Sequence, residues 1–359
     1  MMNENPVGLD GIEFVEFVSP EPAKLDKLFR DFGFSKVMRH ERHAIDLYRQ
    51  NDITFLLNRE PGTFAQRFGV VHGPSICSMG WRVRDGGDAL GVAVQRGATT
   101  TPWASLTRHG KPVPAVMGIG DSLIHLIDNH ARPFEERYMS YGFVPHESPV
   151  AVEAKGYLSI DHLTNNVHRG TMKRWADFYK SVFNFTEVRY FDIRGVMTGL
   201  TSYALRSPCG RFCIPINEAD EKKSQINEYL DEYKGPGIQH LAFLTDDILA
   251  SLDRMKGTEI GFLDIDDDYY RDVFTRVPNV TEDHARIQGH QVLVDGDDKG
   301  YLLQIFTKNL VGPIFIEIIQ RKNHLSFGEG NFGALFRSIE RDQMKRGVFQ
   351  SAPPPPAAG

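Results

Sequence analysis

The chain has 359 residues, of which 41% are hydrophobic and 25% charged, and its net charge is −6. This length exceeds what one ordinary core requires and indicates a globular protein of two domains. The lack of a basic surplus argues against nucleic acid or an anionic membrane as a partner. No apolar run approaches the roughly 18 residues of a membrane helix. Residues 1–6 also lack the layout of a signal peptide, so we expect a cytoplasmic protein.

The cysteines agree with a reducing compartment. There are three, Cys77, Cys209 and Cys213, and an odd, sparse count is not a disulfide framework. Cys209 and Cys213 have a C-x3-C spacing, but no second ligand pair at short spacing accompanies them, as a zinc site would require. We therefore expect ordinary reduced cysteines.

The first predicted domain, residues 8–145, opens with a strand at 11–17 that leads into a helix. A second apolar strand begins at Ser75 and continues into a helix from Asp88 to Gln95. Strand-like segments lie between these two units, at 44–48 and 53–57. The stretch Pro145–Pro149 then predicts a linker.

The second predicted domain, residues 155–325, repeats this order. Its strand at 159–165 resembles 11–17, and its strand from Gly237 resembles the one from Ser75, with a helix at 248–255. We therefore predict an α+β fold whose two domains each consist of paired strand–helix–strands (βαβββ) modules that form an open, barrel-like sheet.

The last part of the chain, residues 326–348, contains a predicted helix from Asn331 to Lys345. Phe332, Leu335, Phe336 and Ile339 recur on one face at helical spacing, which is typical of a helix docked by a single apolar stripe. The Pro-rich tail, residues 349–359, predicts disorder.

Three residues, His162, His240 and Glu317, each lie in an apolar strand-like run, and nearly equal intervals separate them. Two imidazoles and one carboxylate on rigid strands are the ligand set of a non-haem Fe(II) site that leaves positions open for O2 and a chelating substrate. Phe14 and Ser78 stand where the first domain would carry the two histidines. The first domain is therefore predicted to be metal-free and the second to hold the iron.

Each ligand also has a structural interpretation. A histidine in an apolar strand can be a hydrogen-bonded core residue, and strand alternation could place Glu317 on a solvated face. The common spacing of all three favours the metal. The amides Asn217, Gln239 and Gln304 raise the same question, because they could bond either backbone groups or a polar aromatic ligand in a phenylalanine-lined cavity.

From about residue 5 to 348, the chain resembles the 4-hydroxyphenylpyruvate dioxygenases, a family of the vicinal-oxygen-chelate superfamily. The similar motifs are long and cover the three ligands, the segment from Tyr190 to Ser202 and the start of the C-terminal helix. They are residues 160–167, 190–202, 237–243, 302–306, 315–321 and 327–336.

The resemblance implies an Fe(II) enzyme that converts 4-hydroxyphenylpyruvate and O2 to homogentisate and CO2 in tyrosine and phenylalanine catabolism. It implies a homo-oligomer, either a dimer or a tetramer, and a C-terminal helix that gates the iron cavity. The iron ligands would be His162, His240 and Glu317. The implied catalytic polar residues are Ser202, Asn217, Gln225, Gln239 and Gln304. The implied substrate-binding residues are Phe306, Phe315, Phe327, Asn331, Phe332 and Phe336.

Three other functions stay open at this point. Hydroxymandelate synthases resemble this family but carry a smaller aliphatic residue at the position of Phe306, so Phe306 favours ring hydroxylation. A ring-cleaving extradiol dioxygenase would need a further cavity histidine, and a binding module of the superfamily would not need the intact triad. The acidic stretch Asp264–Asp268 departs from the Pro-Asp-Thr usual in the family, and we expect only a surface effect from it.

Overall fold

A computed structural model describes residues 4–102, 106–194, 199–219 and 224–347. The Pro-rich tail predicted to be disordered lies outside these residues. The fold is mixed α/β, with one eight-stranded sheet in each half of the described chain. None of the helices in this part of the chain is long and apolar enough to cross a membrane.

The first sheet has the strand order β10-β2-β3-β4-β1-β5-β9-β8. Its strands are β1 (Ile12–Val18), β2 (Ser35–His40), β3 (Ile45–Gln50), β4 (Ile53–Asn58), β5 (Ser75–Arg82), β8 (Ala115–Met117), β9 (Leu123–Ile127) and β10 (Phe143–Val150). A small hairpin pairs β6 (Thr107–Arg108) with β7 (Lys111–Pro112). The helices of this half are α1 (Pro22–Asp31), α2 (Phe64–His72), α3 (Gly86–Gln95) and α4 (Phe134–Met139).

The second sheet has the strand order β12-β13-β14-β11-β15-β18-β17-β16. Its strands are β11 (Tyr157–Asn166), β12 (Thr186–Arg194), β13 (Gly199–Arg206), β14 (Cys213–Ala219), β15 (Gly237–Thr245), β16 (Leu293–Gly296), β17 (Tyr301–Phe306) and β18 (Phe315–Lys322). The helices are α5 (Met172–Phe183), α6 (Gln225–Tyr233), α7 (Ile248–Arg254), α8 (Asp267–Arg276), α9 (His284–Gly289) and α10 (Phe332–Lys345).

The predicted repeat of modules is confirmed in the connectivity. The units β1-α1-β2-β3-β4 and β11-α5-β12-β13-β14 have the same order, and β1 pairs with β4 as β11 pairs with β14, in parallel. The helices after β5 and β15 begin alike, because Asp85 and Asp247 each accept a hydrogen bond from the amide three residues further on. Such caps satisfy an amide that has no partner within the helix.

The predicted linker is wrong. Pro145–Pro149 lies within β10, which pairs antiparallel with β2 and forms an edge of the first sheet. Proline is tolerated on an edge strand because its missing N–H can face away from the ladder. The pairing is irregular between Pro145 and Val150, so the prolines are accommodated where the ladder is interrupted.

The two halves share a hydrophobic core. Phe243 on β15 is fully buried, and its ring centroid lies 5.7 to 6.0 Å from those of three aromatic residues of the first half, Phe32, Phe34 and Phe55. Conversely, Trp81 on β5 of the first half packs against Phe183 on α5 of the second half, with ring centroids 5.0 Å apart. The halves therefore bury their apolar surfaces against each other.

The C-terminal helix α10 is confirmed, beginning one residue later than predicted. Its C-terminal part is held on two sides. On one side, Arg341 bonds the Asp266 carboxylate at 2.6 Å, while Ser338 donates to the Asp264 carbonyl at 2.7 Å. On the other side, Glu228 of α6 accepts from Gln343 at 2.8 Å and pairs with Arg346.

We name these contacts of α10 with Asp264, Asp266 and Glu228 the α10 clasp. The acidic stretch from Asp264 was expected to have only a surface effect, and the side chains of Asp264 and Asp266 do bond Lys345 and Arg341 of α10 at the protein surface.

The shared core predicts the effect of Phe243→Ala. Truncating a buried phenylalanine removes its contacts and leaves a cavity, which costs about 3–5 kcal/mol of unfolding free energy. Because the ring contacts both halves, we expect a single denaturant transition at lower midpoint, measured by circular dichroism and tryptophan fluorescence together. Val70→Ala, on an 81% exposed side chain of α2, is the matched control and should change stability by less than about 0.5 kcal/mol. Two separate transitions, or an unchanged midpoint, would contradict the shared core.

Candidate metal centre and substrate cavity

The three predicted ligands converge. His162 on β11, His240 on β15 and Glu317 on β18 lie on adjacent strands and are all buried. The two Nε2 atoms are 3.3 Å apart, and Glu317 Oε2 lies 3.1 Å from His162 Nε2 and 3.3 Å from His240 Nε2. Burial of Glu317 contradicts the alternative of a solvated face for that residue.

The hydrogen bonds on the far side of each ring orient this cluster as a metal site would require. Asp161 Oδ2 lies 2.7 Å from His162 Nδ1, and Gln239 Oε1 lies 3.0 Å from His240 Nδ1. Both oxygens accept, so each Nδ1 carries a proton and each Nε2 points towards the other and towards Glu317. If neither Nε2 carries a proton, the three converging acceptors repel one another unless a cation lies between them.

The spacing also suits a transition metal. An ion about 2.1 Å from each ligand would hold neighbouring ligands about 3.0 Å apart at right angles, close to the separations observed here. Two imidazoles and a carboxylate on one face of the ion are the set used by non-haem Fe(II) oxygenases. These residues therefore fit a divalent metal of that class.

The pKa values of the three residues indicate that a metal ion would take the place of a proton. Burial opposes ionisation of Glu317, but the neighbouring imidazoles outweigh it and lower the pKa of Glu317 to about 2. Burial likewise opposes a charge on His162, but Glu317 and Asp161 outweigh it and raise the pKa of His162 to about 9. For His240, burial dominates and lowers the pKa. Without metal, one proton is thus shared between His162 and Glu317, and a metal ion would displace it.

Two β-bulges place the bonding partners of the histidines. The ladder between β11 and β15 skips Asp161, since Ile160 and His162 oppose the consecutive residues Phe243 and Ala242. It also skips Gln239, since His240 and Ile238 oppose Thr164 and Asn165. An extra residue in a strand breaks the alternation of side chains between the two faces. Asp161 and Gln239 can therefore lie beside the histidines that follow them.

A cavity opens beside the ligands, with about 640 Å³ of space between its wall atoms, mouth included. The structure brings all but one of the predicted site residues to its wall. They are His162, Ser202, Asn217, Gln225, Gln239, His240, Gln304, Phe306, Phe315, Glu317, Phe327, Phe332 and Phe336. The apolar stripe of α10 forms one side of this wall.

Asn331 lies behind the wall and is fully buried. Its Oδ1 accepts a hydrogen bond from Tyr269 at 2.6 Å, and its Nδ2 donates to Gln304 Oε1 at 3.3 Å. This bond fixes the orientation of the Gln304 amide, which lines the cavity. Asn331 therefore acts on the cavity through Gln304 and does not line it.

The wall also contains residues that were not predicted as site residues. Thr164, Leu200 and Pro215 each lie two positions from a predicted one, on β11, β13 and β14, so alternation along a strand could have found them. Phe191 contributes a ring 5.3 Å from that of Phe332. Leu335 and Ile339 complete the stripe of α10.

The equivalent positions of the first half carry a different set. Phe14 opposes Gly80 as His162 opposes Ala242, and His125 pairs with Gly80 as Glu317 pairs with Ala242. His125, the third counterpart, was not identified from the sequence. The set Phe14, Ser78 and His125 offers one imidazole in place of three ligands, and burial lowers the pKa of His125 to about 4.

Comparisons with known proteins place the chain in a family. Residues 3–138 match the family model of the N-terminal domain of hydroxyphenylpyruvate dioxygenase, and residues 159–305 match the glyoxalase, bleomycin resistance protein and dioxygenase superfamily. Protein MelA of Shewanella colwelliana is 57% identical, over 96% of this chain and 99% of its own length. The 4-hydroxyphenylpyruvate dioxygenase of Legionella pneumophila is 43% identical, over 98% of this chain and 99% of its own length.

A solved structure extends the comparison to the fold. A variant of 4-hydroxymandelate synthase from Streptomyces coelicolor superposes with a TM-score of 0.80 and 25% identity, covering 94% of this chain and 99% of the synthase. The identity to curated members extends over nearly the full length of the chain. This chain therefore belongs to the 4-hydroxyphenylpyruvate dioxygenase family.

Proposed function

We propose that this chain is an Fe(II) dioxygenase that converts 4-hydroxyphenylpyruvate and O2 to homogentisate and CO2. The observation that carries the proposal is the buried convergence of His162, His240 and Glu317 beside a cavity with both aromatic and amide walls. The relatives named 4-hydroxyphenylpyruvate dioxygenase support the substrate. The substrate's own 2-oxo acid would chelate the metal, so no separate keto acid is needed.

When bound, iron would supply the activation of O2 for decarboxylation and ring hydroxylation. The chain's own residues bind and orient the substrate. Phe315 stacks on the imidazole of His240, with ring centroids 4.7 Å apart, which leaves that ligand one orientation. The phenylalanine walls would exclude water from the metal, and the amides of Gln239 and Gln304 would bond the polar ends of the substrate.

Phe306 is the residue that we propose directs the oxidation to the ring. It lies opposite Glu317 in the ladder between β17 and β18, and its ring centroid is 6.3 Å from that of His240. A side chain of this size beside two ligands limits how the aromatic ring of the substrate approaches the metal. Hydroxylation at the ring carbon that bears the side chain would then force that side chain to migrate.

The two halves would have different roles in the reaction. The second domain would hold the metal, while the first, in which Phe14 and Ser78 replace the histidines, would be a metal-free scaffold. We propose that α10 gates the cavity, because its apolar stripe forms one wall and the α10 clasp fixes its far end. Assembly as a dimer or tetramer and a cytoplasmic location stay predictions.

Removing one ligand tests the proposed centre. In His162→Ala, the remaining two ligands should no longer retain iron, so homogentisate formation should fall by more than about 100-fold, beyond the usual cost of losing an outer partner. Iron content and product are measured on the same preparation. The control is His168→Ala, an exposed histidine six positions further on. Full oxygen consumption by His162→Ala would rule out the catalytic role of the triad.

Replacing Phe306 tests the direction of oxidation. Phe306→Leu should divert a measurable share of product to 4-hydroxymandelate, since pocket contacts of this size are worth about 1–3 kcal/mol of discrimination. Products are separated by mass after incubation with Fe(II) and 4-hydroxyphenylpyruvate. Phe336→Leu, the same change on the α10 wall, should alter rate but keep homogentisate as the product. Hydroxymandelate as the main product of the unmodified protein would overturn the assignment in favour of a hydroxymandelate synthase.

A further inference from the structure

We propose that Asp161 and Arg321 are a pair of positioning residues that fixes the imidazole of His162 and ties it to the segment that carries Phe327. This inference rests on the proposed function for its metal but assigns residues that the predicted site did not contain. It concerns the geometry of one ligand and not the identity of the substrate.

Asp161 reaches His162 only because of the bulge in β11. As the extra residue of that ladder, it lies beside the histidine and accepts from its Nδ1 at 2.7 Å. This contact selects the tautomer whose Nε2 is free for a metal, and it restricts rotation of the ring. A carboxylate partner also makes the imidazole a stronger electron donor than a neutral partner would.

Arg321 holds Asp161 in turn. Its Nε and Nη2 donate to the two carboxylate oxygens at 2.7 and 2.8 Å, a bidentate pair. Both side chains are only 13% exposed, so little water competes with this contact. The planar guanidinium matches the carboxylate in a way that a lysine ammonium does not. The orientation of Asp161 is thereby fixed by two bonds.

The same guanidinium anchors the segment after β18. Its Nη1 donates to the carbonyls of His324 at 3.1 Å and Ser326 at 2.6 Å. Phe327 follows directly, with its ring centroid 5.8 Å from the guanidinium and 5.5 Å from the ring of His162. Arg321 therefore positions both His162, through Asp161, and the wall residue Phe327. The segment it holds lies just before α10.

The first half provides a comparison within the same molecule. Its ladder skips Glu13, the counterpart of Asp161, and Glu13 also pairs with arginines, Arg82 and Arg137 at 2.6 Å each. The next residue there is Phe14, which has no N–H to orient. A carboxylate bonded to arginine at this bulge is therefore a feature of the fold, and the contact with an imidazole is particular to the second half.

This comparison provides matched variants, Asp161→Asn and Glu13→Gln in the full chain. Both substitutions remove the charge of a bulge carboxylate that bonds arginine. Only Asp161 also bonds a proposed metal ligand, His162. Affinity of the metal-free protein for Co(II) and Fe(II) is measured by anaerobic titration calorimetry. The visible charge-transfer band of the anaerobic Fe(II) complex with 4-hydroxyphenylpyruvate and the denaturant midpoint are measured on the same samples.

We expect Asp161→Asn to lower metal affinity by about 10- to 100-fold and to shift the charge-transfer band. Glu13→Gln should lower the denaturant midpoint while leaving the affinity and the band unchanged. Arg321→Lys, which keeps the charge but loses the bidentate contact, should give an affinity between those of the unmodified protein and Asp161→Asn. If both bulge variants lower only the midpoint, the pair is structural and the proposal is overturned.

The readouts separate this inference from the proposed function. If the unmodified protein binds Co(II) but forms no homogentisate, the reaction assigned above fails, and the affinities of the variants still decide the role of Asp161. If the unmodified protein binds neither metal, both are overturned.

Discussion

The structure of the second half depends on one electrostatic constraint. Three acceptor atoms, two imidazole nitrogens and a carboxylate oxygen, lie within 3.3 Å of one another in a buried site. With neither a proton nor a cation among the three atoms, such a cluster is unfavourable, because burial removes the water that would screen it. The fold holds it together with three adjacent strands and with bonds to the outer nitrogen of each histidine. A divalent cation at the centre would offset the free-energy cost of bringing these atoms together.

The duplication of the module explains how the same scaffold can have a packed apolar interior in the first half and a cavity in the second. The same ladder irregularities occur in both halves, with Glu13 and Cys77 as the extra residues of the first and Asp161 and Gln239 as those of the second. In the first half, Phe14 belongs to a buried apolar cluster that includes residues of β2, β3, β4 and β9. In the second half, the equivalent space is a cavity. Two shared bulges and the same order of the central strands therefore support packing in one half and a cavity in the other.

Much of this site could be predicted from the sequence, and each miss has a physical cause. The triad was accessible because its members lie in strong apolar strands at repeating intervals, and the amides because buried polar groups need partners. Asp161 was not identified because alternation assumes a regular ladder, and a bulge breaks it. His125 as the third counterpart requires the register between β5 and β9, which no local pattern gives. Pro145–Pro149 predicted a linker because an edge strand tolerates the same residues as a loop.

The α10 clasp links the cavity to the ionic composition of the solvent. Its carboxylates and guanidinium groups are partly exposed, so dissolved salt weakens their attraction, whereas the apolar contacts of Phe332 and Phe336 gain strength from excluded salts. The two ends of one helix therefore respond in opposite directions to the same change in solvent.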